Sequence, residues 1–166
     1  WPDCFSLAAL QARLLLDKGL ITLEKMAEIS MRSQKNGSDN PNAVRSSKDV
    51  SFENLMNEPA IVDPLRASDI SEIADGGCAV ILAAGDKAKL FCERPAWIKG
   101  IDHRVDSHTL GVRDLTRSPS AFLAAEKAGR NTDRLDLAEI HGMTSAQELI
   151  LEKEFDLNEE TMVNLS

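Results

Sequence analysis

The chain has 166 residues, 43% of them hydrophobic and 28% charged, with 27 acidic side chains against 19 basic ones and a net charge of −8. A chain of this length buries roughly 70% of its unfolded surface, enough for one ordinary domain with a core. The acidic balance, with no basic stripe to offset it, argues against nucleic acid as a partner, and no apolar run approaches the roughly 18 residues of a membrane span.

A phosphate-bearing small ligand stays possible, because a few local Lys or Arg side chains or a helix N-terminus can hold one. The three cysteines, Cys4, Cys78 and Cys92, are an odd number at unrelated spacings. They form no disulfide framework and fit a reducing compartment, which points to the cytoplasm. There is no tyrosine and aromatic residues make up only 4%, so packing rests on Leu, Ile, Val and Ala. The start WPDCFSLAAL has no basic leader, and Trp1 stands where an initiator methionine would, so the sequence reads as a piece of a longer chain.

From Ser6, SLAALQARLLLDKG predicts a helix with Ser6 as N-cap and Gly19 as stop. Thr22 caps a second, LEKMAEISMRSQKNG, with Leu23, Met26, Ala27, Ile29 and Ser30 on one face. The two form a helical hairpin. The next stretch, NGSDNPNAVRSSKD, has the Asn, Ser, Asp, Gly and Pro content of a loop. Ser51 caps a short helix through FENLMN, and Pro59 forces an extended exit into AIVDPL.

After the turn-rich SDISEIADGG, the run CAVILAA (78–84) has the length and apolarity of a strand buried on both faces. A helix, DKAKLFC, follows. AWIKGID (96–102) predicts a second strand and HRVDSHTLGVRDLTR a long polar connection. Ser118 and Pro119 open the helix SAFLAAEKAG, which stops at Gly129. LDLAEIH (135–141) predicts a third strand, and Ser145-Ala146-Gln147-Glu148 a capping box that opens a helix running to about Phe155. This alternation from residue 78 onward predicts an α/β layered fold, with the helical first third as a separate lobe or cover.

Cys78, Cys92, His103 and His108 follow one another in sequence, but their spacings match no zinc pattern, so no metal site is expected. None of the cysteines has a visible activating base, and Gly76-Gly77 lies in no phosphate-binding pattern. His141 differs. It stands at the C-terminal end of a predicted strand, just before a helix, where open α/β sheets place ligands. Its two readings are an imidazole that lines a site and one that bonds a loop carbonyl.

Several blocks in order resemble the thiolase superfamily, in its branch of sterol carrier protein thiolases, acetyl-CoA acetyltransferases and lipid-transfer-protein-like enzymes. LEKMAEISMRSQKNGSDNPNA is similar to the family's helix and Asn-Pro-x-Ala turn. PAIVDPLRASDISEIADGGCAVILAA resembles its Pro-Leu, Ser-Asp-Gly-Ala and apolar-strand sequence, and AWIKGID the strand that opens its second half. LAEIHGMTSAQELILEKEF falls on its His-Asp-Ala-Phe-Thr block, and VNLS on the start of its Asn-Pro-Ser-Gly-Gly turn. Gly142, Met143 and Thr144 replace the Asp-Ala-Phe of the family, and Leu165 replaces the proline.

The resemblance implies a partial thiolase-like α/β/α layered fold: residues 1–75 as a helical loop-domain portion and connection, and 76–166 as the last strand of the first half with the start of the second. It implies an internal fragment that begins after the region of the nucleophilic cysteine and stops before the Gly-His-Pro and final cysteine motifs. It also implies a CoA-dependent acyltransferase, an acetyl-CoA acetyltransferase or related acyl-CoA C–C bond enzyme, with a coenzyme A thioester as substrate, no covalently bound cofactor, and His141 as an oxyanion-hole residue. Homo-oligomers and a small zinc-ribbon and OB-fold protein are the implied protein partners. A non-catalytic scaffold that binds or transfers acyl-CoA or lipid is the alternative.

Overall fold

Asp3, rather than Ser6, caps the first helix. Its carboxylate accepts the Ser6 amide at 2.9 Å and the Ser6 hydroxyl at 3.0 Å, so α1 runs Cys4–Asp17 in the computed structural model. A carboxylate three residues ahead satisfies an orphan amide and also meets the positive end of the helix, which a serine one turn later does not. The structure describes residues 2–130 and 134–165; Trp1, residues 131–133 and Ser166, the last residue of VNLS, lie outside it.

Gly19 follows α1 at φ +64, the left-handed turn that glycine adopts without strain. As expected, the Thr22 hydroxyl caps α2 (Leu23–Gly37) by accepting the Lys25 amide at 3.2 Å, and Met26, Ala27, Ile29 and Ser30 are buried. Ser51 caps α3 (Phe52–Asn57) in the same way. Beyond Pro59 the chain makes an antiparallel hairpin of β1 (Ala60–Val62) and β2 (Leu65–Arg66), turning at a cis Asp63–Pro64 peptide, and then a single 3₁₀ turn, Ala67–Asp69.

The core gathers Ala8, Ala9, Ala12 and Leu15 of α1, Met26 of α2 and Leu65 of β2. Ala146 and Ile150 of α6 (Ser145–Glu154) complete it. The α1 positions recur at helical spacing, and alanines on both α1 and α6 keep the two helices close. Burial of each larger side chain, such as Leu15, Met26 and Leu65, stabilises the fold by roughly 1.5–3 kcal/mol.

Next to this core lies a buried ion pair. Arg66 Nε meets Asp69 Oδ2 at 2.7 Å, with side chains only 5% and 0% exposed. The same guanidinium donates to the carbonyls of Leu55 (3.2 Å) and Leu23 (3.1 Å), and Asp69 Oδ1 accepts the Ser145 hydroxyl at 2.7 Å. Two charges thereby join α2, α3, the 3₁₀ turn and α6. Removed from water, they are tolerated because their remaining hydrogen-bonding positions are also filled.

Two predicted strands do not form. Residues 78–84 have no regular structure, and Val80, Ile81 and Leu82 are 78%, 95% and 74% exposed. AWIKGID is likewise irregular, with Ile98 and Ile101 exposed. A strand buried on both faces needs neighbours on its edges and layers above and below. Among the described residues neither run pairs with another strand. The intervening helix does form, as α4 (Gly85–Phe91), a local element that needs no partner for its hydrogen bonds.

α5 (Pro119–Ala128) begins with proline at its first position and ends at Gly129 with φ +96, as predicted, although the Ser118 hydroxyl makes no capping bond. The third predicted strand shortens to β3 (Leu137–Ala138). It pairs in parallel with β4 (Met162–Val163), with α6 between them in sequence. This β–α–β unit, together with the helices packed on it, is a partial α/β fold.

Candidate functional site

β3 and β4 end side by side, and the residues just past their carboxyl ends face one another. Leu137 pairs with Met162 and Ala138 with Val163. The ladder closes with Met162 N donating to Asp136 O and Asn164 N to Ala138 O, both at 3.0 Å. One step further, the Ile140 amide donates to Asn164 Oδ1 at 2.7 Å, and the Leu165 amide donates to Glu139 Oε1 at 3.1 Å. His141 therefore follows directly on a residue held by Asn164, and its ring is exposed. The carboxyl end of parallel strands is where open α/β sheets bind ligands.

Asn164 takes a left-handed φ of +50, a conformation that asparagine tolerates better than most residues. Its side chain also lies near the Glu148 carboxylate. Glu148 is buried and forms an ion pair with Arg32 of α2, whose Nη2 also donates to Glu152 at 2.6 Å. Burial pushes the Glu148 carboxyl above its ordinary range, and Arg32 only partly offsets this. Burial works against the Arg32 charge too, but Glu152 and Glu148 outweigh it and raise its pKa.

The turn into α6 differs by one residue from the predicted capping box. Thr144 is the N-cap: its hydroxyl accepts the Gln147 amide at 3.3 Å, and Gln147 Oε1 accepts the Met143 amide at 3.0 Å. Ser145 is instead the first helical residue, and its hydroxyl donates to Asp69. Glu148 cannot close the box, because it is committed to Arg32.

Gly142 passes very close to this turn. A Cβ there would stand 2.9 Å from the Glu148 nitrogen and 3.2 Å from the Thr144 carbonyl oxygen. A side chain here, the aspartate of the family block included, would require the loop or the start of α6 to shift. Beside it lies a cavity of about 300 Å³ lined by Ser30, Ser33, Arg45, Ser71, Met143 and Thr144, among others.

The other candidates are not brought together. Cys4 opens α1, Cys78 and Cys92 lie to either side of α4, and all three are exposed. His103 and His108 are exposed in the long polar connection. Among the described residues no three His, Cys, Asp or Glu side chains cluster in a way that could hold a metal ion, and no helix is long and apolar enough to cross a membrane. Sequence reasoning singled out His141 but missed Asn164, Asn36, Glu148 and Arg32. The one available signal was the match of VNLS to the family's asparagine turn.

No family model matches the chain. It is 34% identical over 143 residues to the acetyl-CoA acetyltransferase of Methanothermobacter thermautotrophicus, covering 82% of this chain and 37% of that protein. It is 30% identical over 156 residues to the acetyl-CoA acetyltransferase of Methanocaldococcus jannaschii, covering 90% and 40%. A benzoylsuccinyl-CoA thiolase subunit, BbsB, of Thauera aromatica is 25% identical over 134 residues, covering 78% and 34%. With its β–α–β unit and the histidine at the strand end, the chain belongs to the thiolase superfamily. Within that superfamily it is similar to proteins named acetyl-CoA acetyltransferase, and it spans 37% and 40% of the length of the two matched here.

Proposed function

We propose that the chain is part of a thiolase-type acyltransferase acting on coenzyme A thioesters, acetyl-CoA among them, and that His141 lines its oxyanion hole. The observation that carries this reading is the place of His141, exposed and next in sequence to Ile140, whose amide bonds Asn164 beyond the adjacent carboxyl ends of two parallel strands. An imidazole N–H aimed at the thioester oxygen, directly or through a water, stabilises negative charge as it develops on that oxygen. No covalent cofactor enters this chemistry, and the nucleophilic cysteine belongs to a part of the fold outside these residues. In this reading residues 1–75 cover the site and 76–166 carry it.

A second reading, a scaffold that binds acyl-CoA or lipid without turning it over, is favoured by Gly142, which leaves no carboxylate after the histidine. Self-association is supported by the exposed apolar side chains at Val80, Ile81 and Leu82. A zinc-ribbon and OB-fold partner rests on the family resemblance alone. A cytoplasmic location rests on the odd cysteine count.

Thiolysis of acetoacetyl-CoA by the intact gene product separates the two readings. His141→Ala should lower kcat by about 10²–10³-fold, the loss typical of one oxyanion-hole donor, with the circular dichroism unchanged. An unchanged kcat would remove His141 from the site. Acetyl-CoA binding without turnover would favour the scaffold.

A further inference from the structure

Asn36 lies in the last turn of α2, and its side chain spans from that helix to the end of the sheet. Its amide Nδ2 donates to the carbonyl oxygens of Val163 at 3.2 Å and Asn164 at 2.9 Å. These are the two backbone acceptors at the point where β4 stops. The apolar core between α1, α2, β2 and α6 closes without Asn36, so this long-range bond is not needed to bury that core.

What Asn36 holds is Asn164. The Asn164 backbone sits at φ +50, its Oδ1 accepts the Ile140 amide at 2.7 Å, and its side chain lies near the Glu148 carboxylate. Glu148 in turn is paired with Arg32, one turn before Asn36 on the same helix. Helix α2 therefore holds Asn164 directly through Asn36 on its carbonyl, and through Arg32 it holds Glu148, whose carboxylate lies near the Asn164 side chain. The Asn164 side chain reaches the His141 loop at the Ile140 amide, next to the histidine.

We infer that Asn36 is a positioning residue for the His141 imidazole, acting through Asn164, with the Arg32–Glu148 pair as its second anchor. The inference rests on the proposal that His141 meets the thioester oxygen. Asparagine suits the role because its amide supplies two N–H donors on one rigid plane, able to serve two adjacent carbonyls. An oxyanion donor acts only at hydrogen-bond distance from where the charge develops, and a displacement of about 1 Å at a reacting centre can cost about 10²-fold in rate.

The test is a kinetic cycle on the intact enzyme with acetoacetyl-CoA and coenzyme A, comparing wild type, Asn36→Asp, His141→Ala and the double variant. Asn36→Asp keeps the shape but turns the donor into an acceptor that repels both carbonyls. It should lower kcat by about 10–100-fold while KM changes less than about threefold, and it should add little in the His141→Ala background. Asn36→Ala, which removes the donor without repulsion, should fall in between; thermal melts by circular dichroism establish that each variant is folded. An equal fall in kcat in both backgrounds would reduce Asn36 to a structural residue and overturn the inference. So would an unchanged kcat in the folded Asn36 variants when His141→Ala is impaired, and that outcome leaves the oxyanion reading intact. An unimpaired His141→Ala would overturn both.

Discussion

Replacing Asp69 with alanine removes the acceptor around which four elements are assembled. Its carboxylate takes Arg66 Nε at 2.7 Å, Arg66 Nη2 at 3.2 Å, the Arg66 amide at 3.1 Å and the Ser145 hydroxyl at 2.7 Å, with no side-chain exposure. The substitution leaves the Arg66 guanidinium buried and uncompensated, since the carbonyls of Leu23 and Leu55 supply dipoles but no charge. Breaking a buried pair in this way costs about 3–5 kcal/mol. Asp69→Asn keeps the shape and part of the acceptor capacity, and should cost about 1.5–3 kcal/mol, the range for hydrogen bonds to charged groups. Urea unfolding at pH 7, followed by far-ultraviolet circular dichroism, reads both losses by linear extrapolation. Replacing both partners, as Arg66→Met with Asp69→Leu, should recover part of the loss, because no lone charge stays buried. An Asp69→Ala protein within about 0.5 kcal/mol of wild type, the range of an ordinary surface change, would refute this account of the pair.

Gly142→Ala should destabilise by about 1–3 kcal/mol in the same unfolding assay, because its Cβ would press on the Glu148 nitrogen; a neutral result would mean the turn yields freely. Thr144→Ala should cost about 1 kcal/mol and Thr144→Ser much less, as expected when only the capping hydroxyl matters; equal losses would count against the cap. Arg117, with help from the Ser118 amide, holds Glu154 below the usual carboxylate range. Its stabilisation is therefore present above the ordinary Glu pKa and lost as pH falls through the depressed one. The gap in stability between wild type and Glu154→Gln should thus narrow from pH 7 to pH 3. Glu148 is shifted the other way by burial, so its native state binds the proton more readily and wild type should gain on Glu148→Gln as pH falls through the raised pKa. Parallel pH trends for the two variants would contradict these opposite environments.

Local features of this protein were legible because they depend on neighbours in the chain. The caps at Thr22 and Ser51, the stops at Gly19 and Gly129 and the proline start of α5 all follow from backbone groups within a few residues. Where two local choices competed, tertiary contacts decided. Ser145 looked like a cap, but it is the first helical residue, its hydroxyl donates to Asp69, 76 residues away, and Thr144 is the cap. The two apolar runs at 78–84 and 96–102 carry strand composition, yet a strand exists only when another strand pairs with it, and none among the described residues does.

The same division runs through the candidate site. The sequence alone located His141 at a strand end and, through its resemblance to thiolases, attached a chemistry to it. It could not reveal that Asn36 and Arg32 of α2 reach more than a hundred positions along the chain to Asn164 and Glu148. Hydrogen bonds of that span are fixed only when helix and sheet pack, since their geometry belongs to no segment taken by itself. Nor could periodicity show that a side chain at Gly142 would press on its surroundings: that crowding comes from the approach of the Glu148 amide, which exists only once the loop and α6 are in place.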